Sequence, residues 1–480
     1  MLPVVNLSKS RFQTGLQCHR LLWLRVHEPT APELAIDPRL QASFARGQHI
    51  GELARAEFPG GILIPNDDSR VDATRQAIAD GVSTLFEASF ASADVFVSVD
   101  VLERETNGWR LIEVKSTTSV KPQHITDAAV QAYVLSSAGL DVTHVEIMHL
   151  NAACSHPNLR DLFVREDITA EVAKVSPTLP HTIERQLTML RGDLPDAVRG
   201  PHCGSPYSCP FLERCFGPVA ADHVTTLYRS RELALEMLAG GVDVIGDIAE
   251  PLDGIADRQR RAVQSGQLIV EGDLHGSLGA FVGPVAFLDF ETVSLLVPRW
   301  DGCTPYQPVP VQVSVHVESS TGHEHHGWIA SGPGDPRRGV ATAVIAACAG
   351  AGAVAVYNAS FEKRILADLA RCLPDLAPAL EDVRQRVVDV LPVVRNHVYH
   401  PAFSGSFGLK SVLPALTGTN YDDLDIADGL SASLALERLL HGAHDDAERQ
   451  ALLAYCERDT WGLVLVLRRL RDLARAQGCS

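Results

Sequence analysis

What this sequence lacks narrows its class before any motif is read. Residues Met1 to Ser10 show no basic start, apolar stretch or small-residue cleavage site, the parts of a secretory signal. No long low-complexity tract interrupts the 480 residues, and 46% hydrophobic with 21% charged residues excludes disorder on the scale of a domain. A membrane span is wanting as well. The one segment that could be mistaken for it, Gly339 to Tyr357, is almost uncharged, but it is mostly Ala and Gly and is interrupted by Gly350 and Gly352. We expect a buried helix up to Ala349, a turn, and a core strand at Ala353–Tyr357. The chain is accordingly expected to be cytoplasmic, with no membrane partner.

Positive charge is also short. A formal net charge of −17 argues against a protein that coats nucleic acid by bulk electrostatics. It does not exclude a nuclease, because carboxylates that hold divalent cations add to the negative count and a local groove can grip phosphate. Ten cysteines in a cytoplasmic chain do not suggest a disulfide framework. Cys154, Cys303, Cys348, Cys372, Cys456 and Cys479 are scattered and read as ordinary small residues.

A chain of this length exceeds one ordinary core, so two domains and a connector are expected. The first, residues 1–220, opens with helical patterns at Leu16–Leu24 and Phe44–Phe58. A hairpin follows, Val95–Leu102 and Trp109–Lys115 around a turn at Thr106–Gly108, then a helix near Asp127–Ser137 and a strand at Val142–Leu150. Residues 221–280 read as a helical connector. Within it Leu238–Ile248 has the look of a helix-turn-helix pair, with Arg258, Arg260 and Arg261 nearby. A helix-hairpin-helix grip on phosphate is one reading of this stretch, and a plain spacer is the other. From Val282 strands and helices interleave to the C-terminus, the pattern of an α/β domain over 281–480.

In Trp109-Arg-Leu-Ile-Glu-Val-Lys115, Glu113 and Lys115 lie two apart and share one face of a strand. Asp100 ends the preceding strand of the hairpin, so its carboxylate can converge on them. Paired carboxylates repel unless a cation lies between them, and a hard divalent ion meets that need. A lysine beside such an ion can orient the attacking water. With Gln131 and Tyr133 on the following helix, this set resembles the PD-(D/E)xK nuclease superfamily, in the branch of RecB-type and CRISPR-associated exonucleases that carry an iron–sulfur cluster. The resemblance implies a restriction-endonuclease-like fold, Mg²⁺ or Mn²⁺ at Asp100 and Glu113, and a further metal ligand at His49 in Arg46-Gly-Gln-His49.

Cys203, Cys209 and Cys215 are evenly spaced in a Pro- and Gly-bearing loop, Gly200–Cys215, and Cys18 lies near the N-terminus. Four such thiolates suit zinc or a 4Fe–4S cluster. The same nuclease branch has one cysteine before the catalytic core and three after it, which implies the cluster, in a structural role that closes a very long loop.

The run Val285-Ala-Phe-Leu-Asp-Phe-Glu-Thr292 is a buried strand ending in two acids on one face, Asp289 and Glu291. Tyr357-Asn-Ala-Ser-Phe-Glu-Lys363 brings Glu362 at a strand-to-helix junction, and Tyr455-Cys-Glu-Arg-Asp459 puts Tyr455 and Asp459 on one helix face. Four acids from three segments make sense if they converge on two ions that support in-line attack on a phosphodiester. This order resembles the DEDD exonucleases, a proofreading-type family on an RNase H-like α/β fold, with Glu362 one methylene longer than the usual Asp. The resemblance implies Tyr455 as the water-positioning group, Asp389 as a support and Lys410 as a phosphate contact. His323, His325 and His326 cluster around Gly322 and Gly327, where a metal site is one reading and a solvated hairpin tip the expected one, and Gln312, Tyr306 and Trp300 read as packing or groove-lining residues.

The expectation is therefore a metal-dependent DNA nuclease with two hydrolytic sites, the first cutting single strands or ends and the C-terminal one a 3′ exonuclease. The alternatives are an RNA substrate, and a nucleic-acid-binding or scaffold protein with one or both sites inactive.

Overall fold

The computed structural model describes residues 7–92, 94–320, 322–442 and 445–478. Cys479 and the stretch Met1–Asn6 lie outside them. The chain forms a mixed α/β protein of two compact units, Met1–Pro218 with Leu295–Tyr306, and Val219–Ser294 with Gln307–Ser480. None of the described helices is long and apolar enough to cross a membrane.

The first unit begins with β1 (Leu7–Ser8), α1 (Lys9–Gln17), α2 (His19–His27) and α3 (Pro38–Arg55). It continues through β2 (Ile62–Leu63), α4 (Arg70–Ala79), β3 (Thr84–Ser92), β4 (Val95–Glu105), β5 (Gly108–Lys115) and α5 (Pro122–Ser137). It closes with β6 (Val142–Leu150), β7 (Phe163–Asp167), α6 (Thr169–Val175), α7 (Leu179–Arg191) and the short α8 (Leu212–Phe216). Strands run in the order β2-β3-β4-β5-β6-β7. The β3, β4 and β5 pairs are antiparallel, whereas β6 is parallel to β5 and is reached through α5, as a parallel neighbour requires. The core under α5 is built from Val97, Val99, Leu111 and Ile147 against Ala128, Val134 and Leu135. On the opposite face α3 contributes Ala54 to a cluster with Val101 and Ile112.

Two helix patterns are cut differently from the sequence reading. Leu16–Leu24 is not one helix, because Cys18 takes an extended φ of −160° and caps both α1 and α2. The helix read from Asp127 begins at Pro122, a residue suited to a first helical turn because its missing N–H has no partner there anyway.

The second unit contains α9 (Arg231–Ala239), α10 (Gly254–Ser265), β8 (Ile269–Val270), α11 (Leu274–Leu278), β9 (Val285–Val293), β10 (Val309–Ser319) and β11 (Gly322–Ile329). Then come α12 (Arg337–Ala347), β12 (Ala353–Val356), α13 (Ala359–Cys372), α14 (Ala377–Gln385), β13 (Val387–Asp389), α15 (Val390–His397) and β14 (Val398–Tyr399). The last elements are α16 (Leu409–Thr417), α17 (Gly429–Leu440) and the long α18 (Asp446–Gly478). The main sheet has the order β11-β10-β9-β12-β13. There β10 is antiparallel to both neighbours, while β12 is parallel to β9 and to β13. Ala286, Leu288 and Phe290 point into the core with α12, α13 and α14. Period-two alternation therefore turns Asp289 and Glu291 to the other face, where α18 packs.

Residues 219–280 belong to this second unit rather than forming a separate connector. Strand β8 pairs with β14, and Gln259 donates to the carbonyl of Thr226 while accepting from the Tyr228 N–H. The stretch Leu238–Ile248 is not a pair of helices: α9 ends at Ala239, Gly240 and Gly241 turn the chain, and only a short 3₁₀ turn, Ile245–Asp247, follows. Its nearby arginines are paired internally, Arg258 and Arg261 with Glu271, and Arg260 and Arg261 with Asp257. Gly339–Tyr357 resolves as expected into helix, turn and strand, with Gly350 at a φ of +77° in the turn.

Candidate functional site

In the first unit the geometry follows from where a strand ladder ends. Pairing of β4 with β5 runs from Glu105↔Gly108 only as far as Val101↔Ile112. Beyond it the strands part, and Asp100 Oδ2 accepts the Val114 N–H at 2.7 Å. The space beside the start of β4 is filled by β1, whose Leu7 and Ser8 pair with Val95 and Phe96. Ser8 caps α1 through its hydroxyl, which accepts from the Arg11 N–H, and so starts that helix at Lys9.

Lys9 is thereby delivered to the carboxylates. Glu113 is buried, and its Oε1 accepts from Lys9 Nζ at 2.8 Å and from Lys115 Nζ at 2.7 Å. Gln131 Nε2 donates to Oε2 at 2.7 Å, and Lys115 Nζ also donates to Asp127 Oδ2 at 2.6 Å. Burial alone would raise the Glu113 carboxyl, but the ammonium groups of Lys115 and Lys9 overcome it and hold it below the usual range. Asp100 moves the other way, up to about 7, through loss of water and the Glu113 charge.

The anticipated Asp100, Glu113, Lys115 and Gln131 thus meet in one place, joined by Lys9 and Asp127. Asp127 carried a signal that went unread, since it lies one helical turn before Gln131. Lys9 carried none. Tyr133 packs against the core below α5 instead. His49 is exposed on α3, and among the described residues it makes no hydrogen bond or ion pair with Asp100 or Glu113. Tyr306 donates from Oη to the carbonyl of Ser116, next to Lys115.

Cys18, Cys203, Cys209 and Cys215 line a single pocket with Leu21, Leu24 and Phe211. All four are free thiols. Burial, and the proximity of the other three, push the Cys209 thiol up. The N-terminal helices are tied to the cysteine loop by Gln17 Nε2, which donates to the carbonyls of His202 and Tyr207 at 2.8 and 2.7 Å, and by Arg20, which donates to that of Pro195. Ligand sulfurs about a single zinc lie within roughly 4 Å of one another, given bonds of about 2.3 Å. Among the described residues no three of these sulfurs group within 4.8 Å.

In the second unit Asp289 and Glu291 project from β9 toward α18. Opposite them on β10 stand Ser314 and Gln312. Gln312 Nε2 donates to the carbonyl of Leu452 at 2.7 Å and so fixes β10 against α18. That helix presents Tyr455, Cys456 and Asp459, all buried. Tyr421 Oη donates to Asp459 Oδ1 at 2.5 Å, and Tyr455 hydrogen-bonds the same carboxyl.

Burial raises all the acids here. Asp289 is held well above the carboxylate range by loss of water, then by Asp459, Glu291 and Glu362. Glu291 is pushed up to about 8 by burial and Asp459, and Glu362 to about 8 by burial and Asp389. Asp459 reaches about 6, raised by burial and restrained by the two phenols and Lys410. Lys410 Nζ lies 4.8 Å from the Tyr455 ring and 5.2 Å from that of Tyr421.

Asp289, Glu291 and Cys456 offer ligand atoms within 4.8 Å of one another. Cys456, read as an ordinary small residue, is part of the site, with Sγ 3.7 Å from Asp289 Oδ2. Glu362 stands outside that group, with Oε2 buried and lacking a partner. Asp389 acts as a support: it accepts the N–H groups of Asn358, Ala359 and Leu391 and so holds Asn358 in its left-handed turn. Tyr421 was not anticipated, and nothing in its local sequence marks it.

The histidines depart from their reading. The ladder of β10 with β11 runs from Ser319↔Gly322, so His323, His325 and His326 lie along β11 rather than at its tip. His325 stacks on buried His316, with ring centroids 4.5 Å apart.

A family model described as a domain of unknown function (DUF2779) matches residues 286–408. That span takes in Asp289, Glu291 and Glu362 and stops short of Tyr455 and Asp459. A comparison with curated proteins finds no match.

Proposed function

We propose that this chain is a metal-dependent nuclease with two hydrolytic sites, the second a 3′ exonuclease of the DEDD type on an RNase H-like fold. The observation that carries it is the crowding of Asp289, Glu291 and Asp459, with Glu362 near enough to raise Asp289 further. Raising Glu291 from 4.5 to about 8 corresponds to roughly 5 kcal/mol against its ionisation. Such a set is costly without a counter-charge and well suited with one. The strand order β11-β10-β9-β12-β13, with β9, β10 and β11 successively antiparallel and β12 and β13 parallel to β9, supports the fold reading. In the first unit, the β3-β4-β5 meander followed by α5 and parallel β6 supports a restriction-endonuclease-like core.

Asp289, Glu291, Asp459 and Glu362 would hold Mg²⁺ or Mn²⁺, as would Asp100 and Glu113. Cations held there would supply a nucleophilic water and neutralise the leaving oxygen of the phosphodiester. Tyr455 orients that water, and Lys410 offers positive charge to phosphate at the rim. Water oxygen bonds to phosphorus, the bond to the 3′ oxygen breaks, and that oxygen takes up a proton. Cys18, Cys203, Cys209 and Cys215 would carry a 4Fe–4S cluster that closes the first unit.

One observation favours a second reading for the first site. Both Glu113 oxygens are already engaged, by Lys9, Lys115 and Gln131, which suits a binding surface as well as a hydrolytic one. Digestion of end-labelled single- and double-stranded DNA and RNA with Mg²⁺ or Mn²⁺ decides. Asp289→Ala and Glu113→Ala are each expected to remove one activity and spare the other. Glu113→Ala with undiminished cleavage would leave the first unit a binding module. Wild-type rates in both variants would end the nuclease assignment.

A further inference from the structure

We propose that His316, His325 and Glu457 form a separate site for a transition-metal dication of the zinc class, which staples the edge strand β11 to α18. The ligand atoms of these three residues lie within 4.8 Å of one another, and they come from β10, β11 and α18. Nothing in the proposed hydrolytic chemistry uses them.

The hydrogen-bond chain behind the site determines which ring nitrogens are free. Thr460 Oγ1 lies 3.1 Å from the carbonyl of Glu457 and 3.4 Å from that of Cys456, so its own proton is spent on the helix backbone. It then acts as an acceptor for two further donors. His316 Nδ1, 2.8 Å away, donates to it, which leaves the His316 Nε2 lone pair free. Ser314 Oγ, 2.7 Å away, is the other donor. With its proton so committed, Ser314 accepts from His325 Nε2 at 2.9 Å. His325 Nδ1 is then left with a lone pair, and it faces Glu457 Oε1 at 3.6 Å.

That separation is longer than a hydrogen bond. It is about what two ligands subtend across an ion at bonds of 2.0–2.1 Å. Two neutral imidazoles stacked 4.5 Å apart, with a carboxylate and one position open to water, become a ligand set for zinc rather than for magnesium once one ring turns to bring its free nitrogen onto the shared ion. His323 and His326 take no part: His323 lies against Trp461, and His326 beside Glu324.

The test is equilibrium dialysis of the full chain against Zn²⁺, with Co²⁺ difference spectra as a reporter of tetrahedral nitrogen and oxygen coordination. Glu457→Gln keeps the shape of an exposed side chain and is expected to lose one bound equivalent relative to wild type. His325→Ala should lose the same equivalent. Asp289→Ala should retain it, which separates this site from the hydrolytic one whether or not the nuclease reading holds. Thr460→Val should weaken binding by about 10-fold, and Thr460→Ser should restore it. Equal zinc content in wild type and Glu457→Gln, or loss of the equivalent in Asp289→Ala alone, would overturn the proposal.

Discussion

Lys9 and Glu113 stand 104 positions apart in the chain and 2.8 Å apart in space. The contact exists because β4 and β5 part at Val101, and β1 takes the vacated edge with α1 behind it. Around Glu113 the lysines 9 and 115 face the acids Asp100, Glu113 and Asp127, so the second lysine offsets charge that a cation would otherwise meet.

Replacing that lysine should change metal binding before it changes anything else. Lys9→Met frees one lone pair of Glu113 and adds a net negative charge. Mn²⁺ affinity at the first site should tighten by at least about tenfold and by up to about a thousandfold, the latter being one charge pair roughly 4 Å apart in a medium of effective dielectric near 20. Calorimetric titration of the full chain in an Asp289→Ala background measures it. Unchanged affinity would mean that Lys9 has no bearing on the cation site.

The second site should titrate in the opposite sense from an ordinary acidic cluster. Glu291 and Glu362, ordinarily near 4.5, are raised to about 8, so their neutral forms favour the folded state. Their stabilising contribution is full below pH 4.5 and is lost as pH climbs through about 8. Metal-free protein should melt lower at pH 8 than at pH 6, and Glu291→Gln should flatten that slope. Because ligands must shed protons, Mn²⁺ affinity should rise over the same interval. A melting temperature that rises from pH 6 to 8 equally in wild type and Glu291→Gln would refute the assignment.

Tyr421 holds Asp459 down through a 2.5 Å hydrogen bond. In Tyr421→Phe the Asp459 carboxyl should titrate higher than its present value of about 6. The acid limb of the pH–rate profile should then move to higher pH. A lower rate with an unmoved limb would assign the phenol to packing alone.

Cys18→Ser should abolish iron and sulfide binding and lower the melting temperature of the first unit, since one ligand then fails to link residue 18 to the loop near 203–215. Cys372→Ser, whose thiol lies outside the pocket, should leave the brown colour intact. Purified wild type that carries one zinc and no iron would overturn the cluster.

Much of both sites was legible in the chain. Glu113 with Lys115, and Asp289 with Glu291, follow from the two-residue period of a strand, and Tyr455 with Asp459 from the helical turn. These rules are local, and the structure obeys them. Of the residues that escaped, Lys9, Tyr421 and Cys456 reach their sites through contacts to distant segments or sit beside a motif without belonging to its spacing, whereas Asp127 lies one helical turn before Gln131 and was readable. The histidines of β11 were misread for a related reason. Gly322 and Gly327 around them suggested a hairpin tip, but the ladder of β10 with β11 already includes Ser319↔Gly322 and places His325 over His316.

Sequence alone settled which segments become strands and helices around the acids, and which faces of those segments carry charge, because both depend on periods of two and 3.6 residues. Tertiary structure decided what charge those acids bear. Asp100 and Glu113 lie on adjoining strands and are chemically alike, yet one is raised to about 7 and the other held low. The difference comes from where Lys9 and Lys115 point, and only the folded chain specifies that.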